Sequence, residues 1–335
     1  MSGRIKYLDV AKFIGIFCIY LGHFGISAGT AYNFVFSFHV PLFFFLSGFA
    51  ENLSSEVSFG KYIIKNIKNI LIPFYIFALL SLVVTTIVDN THTAIPPYLF
   101  EILKGCIRNH YFASALWFLT CLFVMKIVFF IFRKIVKFKW LVLLLCVAFY
   151  CIAELLINPR PIVNPWMPYN IDSVCYYIIF YALGYYTFRP LERLLDWTKP
   201  VNKVVCLSIG AVLLIYAAFL FFGNDLLFYI NVNTAMHLIC PVLKAVFMIL
   251  LVLIVSKAFE NVQLFGSLGK NTLFLCGSEH LIKLFIPMCL QIVGLNIFLP
   301  NALTTYIYTL FLLVLCNKTL VPVEKAIFKK LHLIK

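Results

Sequence analysis

Charge is scarce in this chain, and acidic charge scarcest. Of its 335 residues 12% are charged, 13 of them acidic against 27 Lys and Arg, whereas a soluble domain carries about 25% charged residues. That shortage excludes an ordinary soluble domain. No long polar linker interrupts the chain, so a single domain over residues 1–335 is expected although the length would allow two. There is no HExxH zinc motif, no GxSxG elbow, no Walker phosphate loop and no CxxC pair. The 11 cysteines, Cys18, Cys121, Cys146, Cys206 and Cys316 among them, are scattered through apolar segments and read as small hydrophobes. The alternating ten-residue segments of an outer-membrane barrel are missing too. The first apolar run lacks a small-residue cleavage site and is read as an uncleaved first helix.

What the chain has in abundance is long apolar runs. It is 63% hydrophobic, and runs near 20 residues suffice to cross the roughly 30 Å hydrocarbon layer as helices. The expected class is all-α and polytopic, with about ten spans near 8–28, 33–51, 70–89, 113–132, 140–157, 173–188, 204–223, 234–256, 272–294 and 302–321. Lys and Arg fall in alternate loops; only Lys104, Arg108 and Arg160 lie in loops on the other side. This bias puts both termini in the cytoplasm and the protein in the cytoplasmic (inner) membrane. The net charge of +14 therefore points to anionic lipid headgroups as partners and not to nucleic acid. Lys61, Lys65 and Lys68 alternate with Phe59, Tyr62, Ile63, Ile64 and Ile67, a pattern for a short amphipathic helix on the membrane surface. The proline-rich stretch 158–172 is expected to form an ordered, non-helical cap on the external side.

The first two spans carry ionisable residues that the bilayer disfavours. In DVAKFIGIFCIYLGHFG, residues 9–25, Lys12 and His23 are eleven positions apart and share one helix face, about 16 Å apart along the axis. Asp9 stands three residues before Lys12 and is expected to pair with it. In SFHVPLFFFLSGF, residues 37–49, His39 returns to the depth of His23. Pro41 marks irregular backbone beside it, and Ser47-Gly48 permits close helix packing. Lys12 snorkelling to headgroups and each histidine bonding a neighbouring helix are the structural readings. A functional reading needs a long anionic cofactor that enters from the cytoplasm, leaves its phosphates near Lys12 and carries a reactive end to the imidazoles. Coenzyme A has that shape, and a neutral imidazole can deprotonate a hydroxyl attacking its thioester. The two histidines have no third ligand at metal spacing, so no metal is expected.

Further polar candidates lie elsewhere. His280 sits beside Glu279 with Lys283 following; Glu154, Lys126 and Lys244 lie within apolar spans, and Asp172 stands at a helix start as a cap. Trp117 is either a substrate contact or an interfacial anchor. Arg108, His110, Arg160, Trp166 and Tyr169 fall on the external side, where aromatics can stack on a sugar.

These residues carry a resemblance. YLDVAKFIGIFCIYLGH (7–23) and FHVPLFFFLSGF (38–49) resemble the two opening signatures of the membrane acyltransferase 3 family, particularly its branch related to fucose 4-O-acetylases. ALWFLTCLF (115–123) and LGKNTLFLCGSEHLI (268–282) resemble two later ones. The family commonly has arginine ten residues before the histidine; here Lys12 fills that place, a point charge without arginine's fork. The resemblance implies O-acylation of a cell-surface polysaccharide or its lipid-linked precursor, with acyl-coenzyme A, most often acetyl-coenzyme A, as donor. It implies His23 as catalytic base with His39 assisting, Lys12 and Asp9 on the cofactor side, and Trp117, Glu279 and His280 toward the substrate. No extra soluble domain is expected after the tenth span, and transfer is expected to finish within the membrane domain. The alternatives are a proton-coupled secondary transporter, which Lys126, Lys244 and Glu154 would suit, and a non-catalytic scaffold for glycan assembly.

Overall fold

The computed structural model describes residues 4–52, 58–89, 95–106, 108, 115–157, 167–227 and 234–333. Every regular element among them is helical. In chain order they are α1 (Lys6–Gly22), α2 (Ala31–Phe36), α3 (His39–Asn52), α4 (Phe59–Asn66), α5 (Ile72–Asp89), α6 (Ile95–Leu103), α7 (Trp117–Ile135), α8 (Lys139–Ile152), α9 (Ile171–Leu194), α10 (Pro200–Phe221), α11 (Thr234–Ala258), α12 (Gln263–Lys270), α13 (Thr272–Ile292), α14 (Ala302–Lys318) and α15 (Leu320–Lys330). Among the described residues, seven stretches are long and apolar enough to cross a membrane: Ala31–Asn52, Phe59–Val88, Lys139–Ile157, Pro200–Phe221, Ala235–Ala258, Thr272–Ile292 and Ala302–Lys330. The three other expected spans fall on α1, which has 17 residues, on α7, which carries Lys126, Arg133 and Lys134, and on the tyrosine-rich α9. Helix α10 exposes Val201, Val204, Val212, Leu214 and Ile215, a face suited to hydrocarbon rather than water.

The expected amphipathic helix is α4, and it does not stop at the surface. It runs through a π-helical turn, Ile67–Leu71, into α5 as one continuous rod. Tyr62, Asn66 and Ile70 point inward at four-residue intervals, while Lys61, Lys65 and Lys68 are exposed. That is the period of one helix face.

The chain divides into two compact units. The first comprises Met1–Ser54, Phe180–Thr272 and Leu299–Leu313. Its helices approach where side chains are missing. Gly269 of α12 lies so close to α1 that a Cβ there would overlap the Asp9 carbonyl, and Phe265 stacks on Phe13 at 4.6 Å. Gly48 of α3 lies against the Tyr181 backbone of α9, and Gly184 of α9 against that of Phe45, the close packing read from Ser47-Gly48. The second unit comprises Ser55–Ile179, Leu273–Phe298 and Val314–Lys335. There Phe77 of α5, Phe274 of α13 and Phe328 of α15 form a three-ring cluster with centroids 5.2 to 6.2 Å apart. Gly277 makes room for the Phe77 ring.

Candidate functional site

In the first unit the two opening histidines stand at the two ends of the segment 24–38, which contains α2. Helix α1 ends at Gly22, and His23 caps it, its N–H donating to Ile19 O at 3.1 Å. The helix is unbroken from Lys12 to Gly22, so the shared face expected for Lys12 and His23 stands. The second expected span is broken at Ser37–Phe38, between α2 and α3. Pro41 is the third residue of α3, where its missing N–H costs no helical bond. His39 opens α3, 3% exposed. Its Nδ1 lies 2.7 Å from Val35 O. A carbonyl only accepts, so Nδ1 carries the proton, and the lone pair of the neutral ring is at Nε2. The Phe36 ring stands edge-on to His39 at 5.0 Å, and a Cβ on Gly22 would meet that same ring at 3.0 Å. The connection from Phe24 to Thr30 is pinned by α14: Thr305 Oγ1 donates to Ser27 O at 2.9 Å and Tyr306 Oη to Ala28 O at 3.2 Å.

At the other end of α1 the expected pairing is corrected. Asp9 binds Arg4, not Lys12: Arg4 Nε donates to Oδ2 at 2.6 Å and Nη2 to Oδ1 at 3.0 Å. Arg4 precedes the helix and swings its planar fork back onto both carboxylate oxygens, a geometry a lysine three residues along the helix cannot match. Asp9 is 3% exposed and Lys12 is half-buried.

In the second unit, α13 displays a row of polar groups. Glu279, 2% exposed, accepts from Lys283 Nζ at 2.7 Å. His280 Nε2 lies 2.8 Å from Thr85 Oγ1 of α5. Ser278 donates through Oγ to Glu324 Oε1 of α15. No sequence cue singled out Glu324, because its partner lies 46 residues away. Ser278→Ala and Glu324→Ala are each expected to lower stability, and their losses will not add. A double-mutant cycle by thermal unfolding in detergent should show coupling of about 1–2 kcal/mol; additive losses would show that the bond contributes nothing.

A second cluster in the same unit was not legible as a cluster. Arg108, 3% exposed, donates from Nη2 to Asn170 Oδ1 at 2.8 Å and also to Ser173 Oγ. Its guanidinium carbon sits 4.5 Å from the centre of the Trp117 ring, and Asp172 Oδ1 is 3.9 Å from Nη2. Burial pulls the Arg108 pKa below its ordinary value, against the pull of Asp172. Asp172 lies inside the first turn of α9, so the cap role expected of it is not what it plays. Asn170 Nδ2 donates to Gly105 O and Thr120 Oγ1 at 2.9 and 2.8 Å. These partners are 50 to 65 residues apart in the chain.

The structure thus groups Asp9, Lys12, His23 and His39 in the first unit and Trp117, Glu279 and His280 in the second. Lys244 is ion-paired with Asp225, Lys126 lies 5.9 Å from the Tyr62 ring, and Glu154 bonds Tyr176. His110, Arg160 and Trp166 lie outside the described residues.

A family model described as "Acyltransferase domain" matches residues 5–318. No curated protein and no solved structure matches the chain.

Proposed function

The chain belongs to the acyltransferase 3 family and is a multi-pass membrane acyltransferase, and from that premise we propose its reaction. It moves an acetyl group from cytoplasmic acetyl-coenzyme A to a hydroxyl of a cell-surface polysaccharide or its lipid-linked precursor, as in the branch related to fucose 4-O-acetylases. In this reading the seven apolar spans are joined by α1, α7 and α9, giving ten crossings of the inner membrane with both termini in the cytoplasm.

The observation that carries the reading is the bond between His39 Nδ1 and Val35 O. It holds a buried imidazole with Nδ1 protonated, so that in the neutral ring the basic nitrogen is Nε2, the arrangement a general base needs. His39 Nε2 takes the proton of the acceptor hydroxyl as the oxygen attacks the thioester carbonyl carbon. The C–O bond forms, the C–S bond breaks, and the departing thiolate recovers the proton from the imidazolium. His23 is the second imidazole of the site and supports the charge that develops. That order reverses the one expected from the motif, because the backbone carbonyl fixes the tautomer of His39. Lys12 faces the donor's phosphates as a point charge, and Asp9 acts through Arg4. Trp117, Glu279 and His280 serve the acceptor.

Mass analysis of the surface glycan from cells with and without this protein tests the reading. One added acetyl unit per modified sugar, its place found by fragmentation, is the expected result. Substrate uptake into vesicles with no covalent change would point instead to a transporter, and an unchanged glycan would end the proposal.

A further inference from the structure

We propose that Tyr32 and Phe36 form the acceptor platform: two exposed rings of α2 on which the apolar face of a neutral sugar rests, beside the imidazole of His39. This deepens the acyl-transfer reading above and rests on it.

Tyr32 and Phe36 are four residues apart in α2 and so share one helix face. Their rings meet edge to face, with centroids 5.0 Å apart. Each residue is 39% exposed. The rest of α2 is held in place. Ala31 and Val35 are buried, and Phe34 meets Phe221 of α10 edge-on at 5.5 Å. The connection before α2 is pinned by Thr305 and Tyr306, and Phe24 packs on Tyr308 at 5.8 Å. The two rings are therefore open to a ligand while their backbone is fixed, which lowers the ordering cost of binding.

An exposed aromatic pair on a membrane protein can also face lipid, and the neighbours argue against that. Ser27, Thr30 and Asn33 are exposed in the same segment. The backbone before α2 is a single 3-10 turn, Gly25–Ala28, followed by Gly29 at φ 60°. Irregular backbone and exposed polar groups are not placed against lipid tails. Aromatic area with a few hydroxyl and amide groups is instead the mixture found in small-molecule sites. A pyranose matches it. Its C–H groups suit the negative face of an aromatic ring, and its hydroxyls suit polar neighbours. The segment 24–38 has no charged residue, so an acidic or basic sugar would gain nothing there. In the topology proposed above this connection lies on the external side, where a glycan acceptor is found.

Phe36 ties the platform to the reaction. Its ring stands edge-on to His39 at 5.0 Å. His39 is almost wholly buried, and Phe36 is among the groups that cover it. Phe36 packs on Gly22 yet is itself exposed, so its ring tilts outward as the sugar hydroxyl approaches Nε2. Until then it keeps water from the base.

The test uses the full-length protein in proteoliposomes, with acetyl-coenzyme A as donor and the de-O-acetylated surface polysaccharide as acceptor. Tyr32→Leu keeps an apolar side chain and removes the ring. It should raise the acceptor KM about tenfold and leave the donor KM within about twofold. Tyr32→Phe should restore most of the acceptor affinity. Phe36→Ala should also raise the acceptor KM. By uncovering His39 it should in addition speed acceptor-free hydrolysis of acetyl-coenzyme A several-fold. There water attacks the thioester carbonyl, the C–S bond breaks, and acetate and the free thiol result; a merely misfolded protein would hydrolyse less. Ile26→Ser removes exposed apolar surface from the same segment but no ring, and should leave the acceptor KM unchanged. An unchanged acceptor KM in Tyr32→Leu, or an equal rise in Ile26→Ser, would overturn the proposal. Binding is read separately without donor: the emission of Tyr32→Trp, taken by difference from the wild type, should shift when the polysaccharide is added. If the wild-type protein transfers no acetyl group, the acyl-transfer reading fails on its own. The emission shift then still supports the platform, and its absence dismisses it.

Discussion

Replacing His39 with alanine is expected to lower acetyl transfer about a thousandfold, the middle of the range for a lost general base. Alanine does two things at once. It removes Nε2, and it takes from Val35 O the nearer of its two donors, at 2.7 Å, leaving the Phe38 N–H at 3.3 Å. Losing a buried hydrogen bond costs about 0.5–1.5 kcal/mol, so a loss of activity in this variant mixes chemistry with stability. His39→Asn separates them. An asparagine Nδ2 stands near the place of the imidazole Nδ1 and can donate to the same carbonyl, but nothing replaces Nε2. Thermal unfolding of His39→Asn should remain within about 1 kcal/mol of the wild type while transfer falls as far as in the alanine variant. His23→Ala is expected to impair transfer too, with a smaller effect on stability, since its ring is only half-buried. Normal turnover in both His23→Ala and His39→Ala would remove the imidazoles from the mechanism.

Substituting either glycine at the crossing of α3 and α9 should unfold the first unit. A Cβ on Gly48 would overlap the Tyr181 carbonyl oxygen, and one on Gly184 would overlap that of Phe45. Both obstacles are backbone, so no side-chain rotation relieves them. The helices must separate, and the packing that drives helix association in lipid weakens with distance. Overpacking of this kind costs about 3 kcal/mol or more, a large share of a marginal stability. Gly184→Val should therefore give little monodisperse protein in detergent, with Gly48→Ala milder in the same direction. Gly60, with nothing near its missing Cβ, serves as control: Gly60→Ala should behave as the wild type. A normal thermal midpoint for Gly184→Val would show that the crossing is not tight.

Much of the fold was legible because it depends on sums. Crossing a bilayer requires many apolar residues in a row, and hydropathy summed over 20 positions reports that whatever the neighbours are. The period of a helix placed Lys12 and His23 on one face, Tyr62, Asn66 and Ile70 on another, and Ser47-Gly48 at a contact. Pro41 marked the break that the structure shows between α2 and α3.

Pairwise bonds do not sum, and these the tertiary structure alone decided. Asp9 had a cation three residues ahead and another five behind, and only geometry chose Arg4. The tautomer of His39 follows from its contact with one carbonyl, Val35 O, near the end of a six-residue helix. Ser278 with Glu324 and Arg108 with Asn170 join segments 46 and 62 residues apart. A hydrogen bond depends on a few tenths of an ångström and on angle, whereas composition and period carry no information at that scale. The amino-acid order thus determined a helical membrane protein with ionisable groups in its opening spans. Which of those groups hold one another, and which nitrogen of His39 carries the proton, was settled only by their placement in three dimensions.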